Sequence, residues 1–219
     1  MNNEYDFSKE NIDDAKASFK NKTAGDGKGG PFYTGKQQAW QYRDDKELFL
    51  DAVWQGYLDA KRTFKDVKNT DDDRTAFKNL AYHIQNYLDG KEAFNHSGWC
   101  NSFMADIWKY NEYDARYGQA QKVVNMAFKY LYCCAGAPED RFTPCHMPLD
   151  KITLTWLSYE TDTYYDGWSY FTQKRYEAVQ NKIRGILGDH ILDKELVIFE
   201  QLRPKHVVDL KKEYGHDTE

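Results

Sequence analysis

From Phe49 onward the apolar positions of the chain recur at intervals of three and four residues, the spacing of a helix face, and no stretch alternates at period two long enough to build a sheet. Phe49, Leu50, Val53, Trp54, Tyr57 and Leu58 share one face of a helix that Asp44 or Asp45 can cap. The acidic run Asp71-Asp72-Asp73 opens a second helix bearing Phe77, Leu80, Ala81, Ile84 and Leu88, which Gly90 ends. A third covers 94–110 with Trp99, Phe103, Ile107 and Trp108 facing inward, and a fourth covers 119–134. Gly136, Pro138, Pro144 and Pro148 rule out helix or central strand in 135–149. Asp150 then caps the helix begun by Ile152-Thr153-Leu154, and the first half of 159–171 reads as loop. Phe171, Tyr176, Val179, Ile183, Ile186 and Leu187 mark a further helix within 169–187, closed by Gly188, and a last one covers 192–202 before Pro204.

The expected fold class is therefore all-α, a compact multi-helix domain of roughly seven or eight helices with room for two lobes around a central cleft. Residues 1–35, polar and glycine-rich around 25–30, read as a flexible or irregular N-terminal arm, 36–204 as a single helical domain, and 205–219 as a charged C-terminal tail.

One helix stands apart. The run from Tyr117 to Leu131 is apolar nearly all round yet carries Lys122 and Lys129. At about 100° per residue, Gly118, Lys122, Asn125, Lys129 and Cys133 fall on one narrow stripe, which suits a central helix with a single polar seam. An ammonium in such a helix must be paired, reach solvent along its stem, or be used.

Composition narrows the class. The 219-residue chain carries a net charge of −5, which argues against an extended basic surface that holds nucleic acid through phosphates alone and leaves room for a local basic cleft. Aromatic residues make up 16%, mostly Tyr and Trp, which bury one end and hydrogen-bond with the other and so suit a polar-lined cleft. The sequence shows neither a membrane span nor an export signal, so a cytoplasmic protein with no membrane partner is expected, its four cysteines reduced.

The segment Tyr117-Gly118-Gln119-Ala120-Gln121-Lys122 leading into an apolar helix, followed by the proline-rich connection and Pro148-Leu149-Asp150 before a further helix, resembles the catalytic core of the helix–hairpin–helix DNA glycosylases. The likeness is nearest to the archaeal-type 8-oxoguanine glycosylases and covers residues 117–157. The resemblance implies that Lys122 is the nucleophile and Asp150 the carboxylate that assists it. A lysine partly desolvated by Val123 and Phe128 offers neutral amine for attack on an anomeric carbon, and an aspartate can steady the developing positive charge or take the amine's proton. The partner implied is damaged DNA with its target base extruded, and no cofactor or metal is called for. Tyr117, Gln121, Asn125, Trp99, Trp156 and Trp168 are the candidate substrate-binding residues.

Two other classes compete. In a non-enzymatic helical protein that binds a small ligand or another protein, Lys122 reaches solvent, Asp150 is an ordinary N-cap and Lys129 pairs with an acidic residue. Arg184 six residues before His190 near a helix end resembles the signature of the all-helical HEPN ribonucleases, which would make His190 a base and Arg184 a phosphate ligand. Weaker still, Cys133-Cys134 with Cys145-His146 hold the elements of a zinc site at poor spacing, and His96 with Cys100 those of a thiol nucleophile.

Overall fold

Residues 117–131 are buried without exception, so the helix they form is the axle on which the other elements pack. The structure, a computed structural model, describes residues 5–24, 45–64, 74–134 and 138–202. Its helices are α1 (Lys9–Ala24), α2 (Asp45–Ala60), α3 (Thr75–Leu88), α4 (His96–Asn111), α5 (Tyr117–Cys134), α6 (Lys151–Thr161), α7 (Gln173–Leu187) and α8 (Ile191–Leu202). Short 3-10 turns at Lys61–Thr63, Glu139–Phe142 and Trp168–Tyr170 join them, and among the described residues there is no strand. The fold is all-helical and compact. The 25–30 glycine tract, Asp44, the acidic run 71–73 and the 205–219 tail lie outside the described residues.

The most extensive packing joins α2 to α5. Gly56 permits it: a Cβ there would stand 2.5 Å from the Val123 carbonyl oxygen, so only a glycine lets the two backbones meet. On the far side α4 packs against α5 through Trp99, whose ring centroid lies 5.6 Å from Phe128 and 5.2 Å from Phe94. Such ring pairs add about 0.5–1.5 kcal/mol each beyond the area they bury.

The structure departs from the sequence expectation in two places. A helix, α1, occupies most of the described part of the stretch read as an irregular arm. Its composition is polar, but Ile12, Ala15 and Phe19 form one stripe that packs on α8 and α5, and Lys16 reaches Glu139 at 3.1 Å and Asp193 at 3.2 Å. Trp108, expected to face inward, is 61% exposed, because Phe103 and Ile107 already fill the buried face of α4. Among the described residues no helix is long and apolar enough to cross a membrane.

Candidate active site

Asp150 reaches its place through the connection that precedes it. Met147, Pro148 and Leu149 are buried, and their backbone is held by side-chain amides from two helices. Gln180 of α7 donates to the Met147 carbonyl at 2.7 Å and accepts its N–H at 3.2 Å, Asn125 donates to the same carbonyl at 3.2 Å, and Gln121 donates to the Leu149 carbonyl at 3.4 Å. These amides do for a proline-bearing segment what a neighbouring strand would otherwise do. Asp150 itself is extended and caps α6 with a capping box: its Oδ1 accepts the N–H groups of Ile152 at 2.9 Å and Thr153 at 3.0 Å, while the Thr153 hydroxyl accepts the Asp150 N–H.

The other carboxylate oxygen is left for a partner. Lys122 Nζ donates to Asp150 Oδ2 at 2.8 Å, across 28 residues of sequence. The lysine side chain is 6% exposed and the aspartate 21%, so the pair is largely enclosed, the aspartate less so than the lysine. Burial pushes the Asp150 carboxyl up, yet the charge and hydrogen bond of Lys122 and the Thr153 amide outweigh it, and the group titrates below its usual range.

The six candidate substrate-binding residues do not all gather here. Gln121 touches the segment that carries Asp150, and Asn125, one turn on, is the centre of a buried network with Gln121 Oε1 at 2.9 Å, the Tyr176 hydroxyl at 2.9 Å and His96 at 2.8 Å. Tyr117 is buried with its ring 5.4 Å from that of Tyr176. Trp99 sits in the aromatic core with Tyr87, Phe94 and Phe128, and Trp156 is buried on α6. Trp168 alone of the six is half-buried: its backbone lies over Gly118, the residue one turn before Lys122 on the same stripe of α5.

Two acidic residues near the seam went unnoticed in the sequence. Glu195 of α8 pairs with Lys129 at 2.6 Å, with the two side chains 2% and 1% exposed, and Lys129 is flanked at 4.6 Å by the rings of Phe19 and Phe199. Asp59, at the end of α2, accepts the Tyr130 hydroxyl at 2.8 Å and feels the charges of both lysines and Asp150. Glu195 carries a signal in the sequence, an acid that falls on the same face of α8 as Ile191, Leu192, Ile198 and Leu202. Asp59 stands in the last turn of α2, where the helix dipole disfavours an acid, and nothing in its neighbourhood of the chain points to Tyr130.

The remaining motifs are occupied otherwise. His96 and His146 pack ring against ring at 4.4 Å, both beside Tyr176, and burial depresses both, His146 to about 4. Burial pushes the Cys100 and Cys145 thiols up, so they stay protonated. Among the described residues no three His, Cys, Asp or Glu side chains gather as metal ligands. Arg184 donates to the carbonyls of Pro144 and Cys145 at 3.3 Å each and lies 3.5 Å from Asp189, while His190 is exposed in a left-handed conformation. A groove of about 560 Å³ between α2 and α3, lined by Phe49, Leu50, Tyr82 and Lys78 among others, includes neither Lys122 nor Asp150.

Comparison of the chain with protein-family models, curated proteins and solved structures finds no match.

Proposed function

We propose that the protein is a DNA base-excision glycosylase in which Lys122 attacks and Asp150 assists. One observation carries the reading: an almost buried lysine on the central helix meets, at 2.8 Å, a carboxylate that caps the next helix and whose side chain is 21% exposed. Asp150 takes a proton from the Lys122 ammonium, and the freed amine attacks C1′ of the damaged nucleotide. The N–C1′ bond forms as the glycosidic bond breaks, the base leaves with the bonding electrons and takes up the proton that Asp150 holds, and a proton from the attacking nitrogen passes to the ring oxygen as the sugar opens. Opening of the sugar ring then gives an iminium, the species from which a lyase step would proceed and which borohydride reduces to a stable amine.

Incubation with duplexes carrying oxidised, deaminated or alkylated bases in the presence of borohydride tests this. The expected result is a covalent adduct with wild type and none with Lys122→Gln. Absence of both adduct and base release across the panel would remove the enzyme reading.

A second reading, a non-enzymatic helical protein that binds a ligand or another protein, draws on a different fact. Asp150 already has a complete structural occupation, a capping box plus an ion pair, and the polar side chains of the α5 seam each have partners inside the protein. The ribonuclease reading gains nothing comparable, because the guanidinium of Arg184 is spent on backbone carbonyls and Asp189.

A further inference from the structure

His96 of α4 and His146 of the connection before α6 lie ring against ring, and both meet one hydroxyl, that of Tyr176 on α7. His146 Nδ1 is 2.9 Å from it and His96 Nε2 is 3.2 Å from it. The protons of this cluster have one arrangement. Asn125 Nδ2 faces three acceptors, the Tyr176 oxygen, Gln121 Oε1 and the Met147 carbonyl, so its Oδ1, 2.8 Å from His96 Nε2, is the accepting end and His96 carries its proton on Nε2. The hydroxyl of Tyr176 has a single proton, and the lone pair left to receive it is that of His146 Nδ1.

A proton arriving on His146 Nδ1 turns this acceptor into a donor. The Tyr176 O–H and the His146 N–H then point at each other, and the other neighbours of the hydroxyl, Asn125 Nδ2 and His96 Nε2, are donors as well, so a buried O–H is left with no acceptor. The surroundings offer no relief. The titratable groups about the two rings are Cys100 of α4, Tyr117 of α5, Tyr176 and Arg184 of α7, and Cys145 of the connection, and among the described residues no carboxylate acts on either ring. Burial disfavours an imidazolium here, and the Arg184 guanidinium opposes it further. His146 is nevertheless only half-buried, so solvent protons reach it.

The same cluster holds the connection in place. Asn125 and Gln180 converge on the Met147 carbonyl at 3.2 and 2.7 Å, and Arg184 holds the carbonyls of Pro144 and Cys145, one on each side of the residue before His146. Asp150 follows Met147 by one turn's length of chain, so a movement of the connection moves the carboxylate that meets Lys122.

We propose that His96, His146 and Tyr176 form an acid-released latch: a proton on His146 frees residues 145–149 from Asn125 and Gln180 and parts Asp150 from Lys122 while α5 stays folded. The latch is independent of whether the Lys122–Asp150 pair is catalytic. His146 binds its proton at about 4 in the closed fold and at its usual 6.5 in water, so release gains as pH falls below 6.5, by about 100-fold between pH 7 and 4.

The test is hydrogen exchange of the full chain from pH 7 to 4, read residue by residue, with each rate divided by that of an unstructured chain at the same pH. Protection of the Met147 and Leu149 amides is expected to fall about 100-fold over that range and to stay below that of residues 123–131 of α5 at every pH, because the opening is local. His146→Gln, whose side-chain oxygen accepts from Tyr176 but takes no proton, is expected to flatten the fall. NMR of the His146 ring in wild type, which needs no variant to fold, is expected to show titration below 6.5. Connection amides with the same protection as α5 at every pH overturn the latch, since the segment then opens only when the whole chain unfolds. It is overturned equally by protection of Met147 and Leu149 that ignores pH, by a fall that persists in folded His146→Gln, or by a His146 ring that titrates at 6.5 in the folded chain.

Discussion

Two lysine–carboxylate pairs share one stripe of α5 about two turns apart, Lys122 with Asp150 and Lys129 with Glu195, and they differ in what covers them. The second is sealed between α1 and α8, with a phenylalanine ring on each side of the ammonium. The first has an aspartate that is 21% exposed, with two backbone N–H groups on one carboxylate oxygen and Lys122 on the other. Burial pushes the Glu195 carboxyl up and Lys129 does not fully offset it, whereas Lys122 and the cap hold Asp150 down. The same two charges at nearly the same distance thus titrate in opposite directions, one pair fully enclosed and the other resting on a helix cap and part-exposed.

The largest expected effect breaks the sealed pair. Lys129→Met leaves Glu195 buried without its counter-charge and should cost about 3–5 kcal/mol, read as a fall in the urea midpoint. Adding Glu195→Leu should recover most of that loss, because an apolar pair needs no desolvation to be offset. A cost below about 1 kcal/mol for the single change would erase the contrast between the two pairs.

Acid acts on a third region and sets the pH range in which the comparison is clean. His146 titrates at about 4 in the fold against its usual 6.5, so between those values the unfolded chain holds a proton that the folded one does not. Stability from this group is complete above 6.5 and is lost as pH falls through 4, by about 3 kcal/mol. Thermal melts from pH 7 to 4 should show the decline, and His146→Gln should flatten it.

Lys122→Gln is expected to cost only about 1–2 kcal/mol, because Asp150 keeps both hydrogen bonds of its cap and the glutamine amide can donate to its other oxygen, while abolishing any adduct with damaged DNA. Asp150→Asn should keep the cap as well but turn an amide N–H toward Lys122, lowering the adduct yield strongly with little change in melting temperature. Equal destabilisation by Lys122→Gln and Lys129→Met would show that both pairs are clasps.

The smallest effect is a matter of order. On acidification Glu195 should take its proton before Asp150, since the one is raised and the other lowered. Asp150 contributes stability above its unfolded value that is lost as pH falls through its lower folded value. Glu195 does the reverse, costing stability as pH rises from its unfolded value through its higher folded one. Carbon-detected NMR of the two carboxyls reads the sequence of events directly.

Helix periodicity was legible where each helix presents a wide apolar face. The limits of α3, α5 and α8 fall within two residues or so of those read from spacing, and the Asp150 cap follows from an aspartate after proline and before an apolar run. The polar seam of α5 was equally readable, as was the need for Lys129 to find an acid. Which acid was not, because Glu195 lies 66 residues away and α8 carries no mark that it packs beside α5. Helix α1 is not legible in the spacing because the three apolar residues of its packed stripe, Ile12, Ala15 and Phe19, are too few to outweigh a polar composition until α8 offers them a surface. Trp108 was misplaced because periodicity gives a stripe and not its width.

The sequence by itself therefore determined the local facts: all-helical elements, their caps, a buried helix bearing two cations, and an aspartate at the mouth of the next helix. These depend on residues within a turn or two of each other, where backbone geometry dictates which side chains share a face. Only the tertiary structure decided which lysine meets a part-exposed aspartate and which a sealed glutamate, and that the amides of Gln121, Asn125 and Gln180 hold the connection that delivers Asp150 to Lys122. Burial and long-range pairing are properties of how helices from distant parts of the chain stack, and no local pattern carries that information.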